Sequence, residues 1–529
     1  MAREINLVTD NLGRVTEVYQ DIDSSNQQLR AKYSYNTFSE TTAITRLKDS
    51  VEKSFQFAYD KLGRVKTMTD SLQQVTDNYW WTSCESHTTT TARGLRRKYG
   101  MDLLCRPTLL EVGEPSSSDD RSLSTVEESH EFHYDELGRL VKSVKNGPER
   151  YSQAVMGFDS YSPEERTYLY DELDRLIEMT YEDGSTASWE YDAEGNVTKY
   201  TDPEGKVTRY EYYRDYLLHK VVIERGDPAT VVGEFVYSYD AAGRLDQITY
   251  PASTGITAVF RDPSDTPGSG FDPNGNIRYL RYMKTGETDP IRSFEWTYDD
   301  SDNRQSMLDV TPGKAVQWEY GYDWLDRLVT VKRAEEETVG ELPSSPLSSA
   351  FLQREYVFDE SDNRVFFDDH LNGATYHYVY KSIDDNGTTR YSDQLEEILI
   401  STTVGDRNLT NFVSFETFEH DEDGNMTKRT SASTGEEISY EWTEFDRLKR
   451  VESDTNGRMQ NARYGVDGLR TKKQDANGNS SREYGVGIST SASTPLTQNS
   501  TAPSISYISG HMILGAEING EFVYHLGDA

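Results

Sequence analysis

The residues with chemistry to offer in this sequence are carboxylates. Asp and Glu number 91 against 55 Lys and Arg, and many stand beside Gly or Asn in short runs. Asp421-x-Asp423-Gly424-Asn425 and Asp475-x-Asn477-Gly478-Asn479 have the opening spacing of a calcium loop, in which alternate oxygens face one cation. Both lack the remaining ligand pair and the distal bidentate Glu, so turn formation is the better reading of each. Asp272-Pro273-Asn274-Gly275 invites a cleavage reading, but Asn276 follows it and it keeps step with the other turns. A glycosidase needs two carboxylates at a set separation. Pairs arise by chance among so many, and no dyad is assigned.

Other chemistries fare no better. Nine His and two Cys show no zinc spacing, and there is no Gly-rich phosphate loop or Gly-x-Ser-x-Gly elbow. No metal, cofactor or catalytic residue is expected, and the chain is read as non-enzymatic. Cys84 and Cys105 are taken as small buried residues, with a local pair as the alternative. Asn-x-Ser/Thr triplets begin at Asn196, Asn386, Asn408, Asn425, Asn479 and Asn499; several start on turn residues, so chance explains them. Arg14, Arg64, Arg139 and Arg244 each follow a Gly. They could bind acidic ligands, but pairing with neighbouring carboxylates or stacking on Tyr is the better expectation.

What organises all these residues is a repeated corner. Residues 170–213 contain Asp171-x-x-Asp174, Glu182-Asp183-Gly184, Asp192-x-x-Gly195 and Asp202-Pro203-x-Gly205, separated by runs rich in Tyr, Thr, Val, Ile and Trp. Asp suits the first position of a type I turn, and Gly takes the left-handed residue that completes a three-residue hairpin loop with a bulge. Where Gly is absent, Asp stands instead, at Asp174, Asp302, Asp326, Asp362 and Asp446, because Asp tolerates left-handed geometry better than most residues. Strand, corner, strand, corner is therefore the predicted unit.

The corner recurs along the chain. It runs as Asp10-x-x-Gly13-Arg14, Tyr59-Asp60-x-x-Gly63-Arg64 and Tyr134-Asp135-x-x-Gly138-Arg139. Tyr170-Asp171-x-x-Asp174-Arg175, Tyr191-Asp192-x-x-Gly195 and Tyr239-Asp240-x-x-Gly243-Arg244 follow. Next are Phe271-Asp272-x-x-Gly275, Tyr298-Asp299-x-x-Asp302, Tyr322-Asp323-x-x-Asp326-Arg327 and Phe358-Asp359-x-x-Asp362. The last are Asp421-x-x-Gly424, Trp442 before Asp446-Arg447, and Tyr464 before Gly468.

A net charge of −36 disfavours nucleic acid and anionic membranes as partners, and no apolar run is long enough for a membrane-spanning helix. Hydrophobic residues make up only 35% of the chain, yet it carries 36 Tyr. That combination excludes disorder and a thick doubly covered core, and fits an antiparallel sheet with wet faces and Tyr as filler. The expectation is an all-β chain: one long antiparallel sheet of repeated hairpins spiralling into a hollow or partly open shell. One continuous array is expected over 1–529, with loops at 107–130, 261–270, 334–349, 382–410 and 487–506.

Tyr-Asp-x-x-Gly-Arg repeated about every 20 residues resembles the YD repeat of the rearrangement-hotspot (Rhs) family, which occurs also in the C component of insecticidal toxin complexes and in teneurins. The resemblance implies a shell wall around a C-terminal toxin or effector cargo, a possible delivery apparatus as partner, and a secreted or cell-surface location. It implies no activity here, since the chain carries no plug, protease or toxin segment. A monomer is expected. A strand residue tiles roughly 16 Å² of sheet, so this chain makes about 5,000 Å² of wall, too little to close around a folded domain of about 100 residues. A surface adhesion or carbohydrate-binding module is the alternative, to be distinguished by where the aromatic side chains point.

Overall fold

The computed structural model describes residues 5–23, 26–48, 51–70, 73–80, 87–116, 122–146, 164–226, 228–264, 266, 268–323, 325–337, 351–359, 363–385, 388–464, 470–475, 480–482, 505–509, 513–518 and 521–524. Within them, 37 strands form one antiparallel sheet. Each strand pairs with its neighbours in sequence, from Ile5–Thr9 to Ser480–Arg482. Three strands, Ile505–Ser509, Ile513–Ile518 and Glu521–Tyr524, make a second small sheet. Among the described residues the only helical element is a 3-10 turn at Leu409–Asn411. The chain is all-β, as its corner spacing predicts.

The corners explain the meander. At residues 170–176 the Asp171 N–H donates to the Arg175 carbonyl (3.0 Å), and the Asp174 N–H donates to the Asp171 carbonyl (3.2 Å). Asp174 sits at φ +63°, the left-handed conformation that closes the turn. Tyr170 then pairs with Leu176 while Leu169 pairs with Glu178, which leaves Ile177 as a bulge. The same slip recurs at Tyr134, Tyr191, Tyr239, Tyr298, Tyr322, Phe358, Trp442 and Tyr464. Because strands alternate in direction, all these bulges lie on one edge of the ribbon. An extra residue repeated along one edge bends and twists the sheet in one sense.

Several local expectations need correction. Pro107–Gly113 is strand rather than loop, as is Glu128–Tyr134 from its first residue. Thr388–Ser401 is the longest strand described, paired with Ala374–Asp385, where a loop was expected over 382–410. Its Thr, Tyr, Ile and Leu suit a strand, and the polar residues between them only mimic a loop. Residues 334–337 complete the strand Leu328–Glu337, and 505–506 begin Ile505–Ser509; the rest of those two expected loops lies outside the described residues. Only 261–270 is loop throughout its described part. Cys105 is not a buried thiol. It is disulfide-bonded and exposed, at the left-handed position of the corner after Asp102; Cys84 lies outside the described residues.

Apolar burial is concentrated rather than continuous. The main cluster spans the strands Leu218–Arg225 to Arg292–Tyr298 and includes Phe235, Tyr237, Tyr250, Phe260, Tyr282, Phe294 and Trp296. Trp296 stacks on Phe294, with centroids 5.4 Å apart and planes at 10°. Phe260 and Phe271, either side of the 261–270 loop, stack at 6.2 Å and help cover this patch. A smaller cluster joins Leu176, Met179, Tyr181 and Ala187.

Candidate functional site: the corner latch and the seam between turns

Every complete corner is wired alike. One carboxylate oxygen of the corner Asp accepts the backbone N–H two and four residues on, at 2.8–3.1 Å in the corners of Asp10, Asp60, Asp102, Asp135, Asp171 and Asp240. Its other oxygen accepts Nε–H of the Arg four residues on, at 2.7–2.8 Å. At Asp60, Asp102, Asp135 and Asp171 the Arg backbone N–H and then the guanidinium outweigh burial and hold the carboxyl below its usual range.

The Arg then reaches forward to the next corner. Arg14 lies over Tyr35, Arg139 over Tyr170, Arg175 over Tyr191, Arg244 over Phe271, Arg327 over Phe358 and Arg447 over Tyr464, at 4.7–5.8 Å. Such contacts contribute about 0.5–1 kcal/mol each where exposed. Arg139, Arg175 and Arg327 also donate to the carbonyls of Asp171, Asp192 and Asp359. No Arg in these corners is left free to bind a ligand.

The motif Tyr supplies a link that the spacing does not reveal. Its hydroxyl donates backwards to the carbonyl that follows the preceding corner: Tyr59 to Thr41, Tyr134 to Pro107, Tyr170 to Leu140, Tyr191 to Leu176, Tyr239 to Leu218, Tyr298 to Ile277, Tyr322 to Arg304 and Tyr464 to Leu448, at 2.6–2.9 Å. Trp442 does the same with its indole N–H, to Met426 at 2.7 Å. Each hairpin is thus latched to the one before it. Tyr239→Phe keeps the ring and removes one latch. It is expected to destabilise by about 1 kcal/mol, read as a shift in the urea midpoint; an unshifted midpoint would show that the latch contributes nothing.

Asp at the left-handed position has a second task beside tolerating its φ. Asp174 accepts from Arg139, Asp302 from Asn276, Asp326 from Asn303 and Asp446 from Asn425, at 2.7–3.0 Å. Gly could not accept these bonds from the preceding corner. Asp362 and Gly468 lie outside the described residues. Asp10, Gly13, Asp60, Gly63, Gly138, Gly195, Gly243, Gly275, Asp299, Asp323 and Gly424 all sit in corners of this design. Sequence reading missed several corners, at Asp70–Gln74, Thr91–Leu95, Tyr213–Leu217 and Tyr35-Asn36-x-x-Ser39-Glu40; in the last, Ser39 has φ +68° and Tyr35 is latched to Val15. The Tyr, and the five-residue interval to the next strand, were the available signal.

The calcium-like segment at 421–425 is one such corner: Asp421 binds the Asp423 and Asn425 N–H groups and the Asn425 amide. Among the described residues no group of His, Cys, Asp and Glu could hold a metal ion. These acids instead face Arg93, some 330 residues earlier. Arg93 donates Nε–H to Asp423 at 2.5 Å and pairs with Asp446 at 2.7 Å and Asp421 at 3.5 Å. Burial opposes the charge on Arg93, but Asp423 and then the other two acids outweigh it and raise its pKa. Arg97 adds a pair to Asp446 at 2.5 Å and lies over Phe445 at 5.7 Å.

Beside it, buried His130 meets Glu128 at 2.7 Å and packs edge-on against Phe445 at 5.2 Å. Lys145 lies 3.4 Å from Glu128 and donates to the Tyr464 carbonyl at 3.0 Å. Burial pushes the Glu128 carboxyl up, but His130 and Lys145 together bring it below its usual value. Strand Val51–Tyr59 likewise lies against Thr388–Ser401. The ribbon has therefore curved through a full turn and met itself, edge to edge.

A sequence profile of the family described as RHS Repeat matches residues 191–214. At these residues the chain carries an Rhs, or YD, repeat. No curated protein sequence matches it. Among solved structures, this chain is similar to the crystal structure of TcdB2-TccC3-Cdc42, with TM-score 0.60 and 12% identity over 94% of its length. It is similar also to that of TcdB2-TccC3-TEV, with TM-score 0.61 and 10% identity over 97% of its length. At such identity the likeness is one of fold. The chain spans about a quarter of those chains, 26% and 28% of their length. Among its described residues no helix is long and apolar enough to cross a membrane, which leaves strands unaddressed.

Proposed function

We propose that this Rhs-repeat chain is a non-enzymatic wall segment of a secreted shell that encloses a toxin or effector cargo before delivery. One observation carries the reading: a single ribbon of hairpins curves until Arg93, in an early corner, and Arg97, in the strand after it, lock onto late corners at Asp421, Asp423 and Asp446. A ribbon that joins its own edge is a wall. The large aromatic side chains favour this over carbohydrate binding, because Trp296, Tyr237, Tyr282, Phe235 and Phe260 are fully buried and are not displayed in a groove.

Small-angle scattering on the purified chain tests the proposal. A curved wall around solvent gives a distance distribution whose maximum lies beyond that of a filled sphere of equal mass. A filled globule or a rod-like profile would remove the container reading.

A further inference from the structure

The first residue after each corner lies opposite the motif aromatic and points to the apolar side of the sheet, where Leu176 and Leu218 join the buried clusters. Leu140, Leu245, Leu328 and Leu448 hold the same position. At three corners it is Arg instead: Arg304, Arg364 and Arg470. Arg304 and Arg470 have further partners. Arg364 is different. Its guanidinium lies over Tyr378 at 4.3 Å, Phe367 at 5.8 Å and Tyr356 at 5.9 Å. Among the described residues no carboxylate is within ion-pair distance of it, and its buried Nε–H has no acceptor. Arg292, Arg333 and Arg407 also stack on rings, but each pairs with an acid.

Arg364 stands beside an aromatic shelf. Tyr356 stacks on Phe367 with centroids 5.2 Å apart, Phe367 stacks on Tyr376 at 5.6 Å, and Phe415 meets Tyr376 edge-on at 5.4 Å. Every ring of the shelf is partly exposed. The hydroxyls of Tyr356, Tyr376 and Tyr378 have no hydrogen-bond partner among the described residues, whereas the motif tyrosines are latched. Arg354, two residues from Tyr356 and so on the same face, is exposed and also has no acid partner among the described residues. Asp369, opposite it, bonds the backbone of its own turn. A partly buried guanidinium without an acid costs desolvation that the Leu of the other corners avoids.

We infer that the shelf is a binding site for a small aromatic carboxylate, whose ring stacks on Tyr356, Phe367 and Tyr376 and whose carboxylate takes the planar fork of Arg364. The inference is independent of whether a cargo is enclosed. The chemistry selects the ligand. Stacked rings favour another flat ring, and a guanidinium with no acid of its own is completed by an anion. The unbonded tyrosine hydroxyls add donors along the edge of the shelf. Three rings in a row make a footprint for one or two linked rings, not for a macromolecular face.

Calorimetric titration of the full chain with biphenyl-4-carboxylate tests this, at physiological salt so that the chain's net acidity is screened. The parent should bind it at least about tenfold more tightly than biphenyl-4-methanol, which lacks the charge. Acetate and inorganic phosphate, which lack the ring, should also bind at least about tenfold more weakly. R364L installs the residue that the repeat prefers, so its urea midpoint should equal or exceed the parent's while its affinity for the carboxylate falls about tenfold or more. No binding by the parent, equal binding of the alcohol or of inorganic phosphate, or an R364L chain that binds like the parent overturns the inference. So does a lowered R364L midpoint, which makes Arg364 a clamp for the rings and not a ligand group.

Discussion

Arg93→Met is expected to open the seam between the two turns of the ribbon while leaving the strands intact. The substitution removes the one cation that faces Asp421, Asp423 and Asp446 together. Removing one partner from a well-buried ion pair costs about 3–5 kcal/mol, because the other charge stays desolvated. Arg93 and Asp423 are largely buried here but Asp446 is about a third exposed, and Arg97 still reaches Asp446. The expected loss is therefore about 2–4 kcal/mol, taken from the edge contact alone. The acids would then repel one another across a contact that, among the described residues, no hydrogen-bonded ladder holds. Small-angle scattering should show a larger radius of gyration with an unchanged far-ultraviolet spectrum. Arg93→Lys should recover only part of the effect, since an ammonium cannot fork to several carboxylates. An unchanged radius for Arg93→Met would mean that the seam is held by other contacts, such as Val51–Tyr59 on Thr388–Ser401.

Trp296→Ala should produce the largest local loss. Trp296 is 1% exposed, stacks on Phe294, and lies beneath Arg304 at 5.5 Å. Emptying such a site costs about 3–5 kcal/mol in lost transfer and cavity terms. In a repeat array each unit is supported mainly by its neighbours, so the damage should stay regional. Hydrogen exchange is the suitable measurement. Protection should fall in the strands from Leu218–Arg225 to Arg292–Tyr298 and persist in strands such as Glu437–Trp442. Uniform loss across all the strands would contradict this regional picture.

Much of the fold was legible because its instructions are short-range. A corner is decided within five residues: Asp caps the turn, Gly or Asp takes the left-handed position, and Arg or Asn returns to the Asp. Every one of those contacts has a sequence separation of four or less, so the spacing alone gave the all-β meander and most of its corners. Errors came where composition imitates a loop in a strand that tertiary pairing holds, as in Thr388–Ser401, or where a corner lacks both Asp and Gly, as at Tyr35–Glu40.

The Tyr latch, spanning 15–30 residues, lay just beyond that range. Repetition marked Tyr as important but not as a donor to the preceding hairpin. The seam was out of reach altogether. Whether Arg93 meets Asp423 depends on the accumulated twist and bulge of more than twenty intervening strands, and a small change in any of them displaces the meeting point. Local chemistry wrote the ribbon and its corners into the sequence; only the summed curvature of the folded sheet determined which distant corners face each other, and which were left facing solvent.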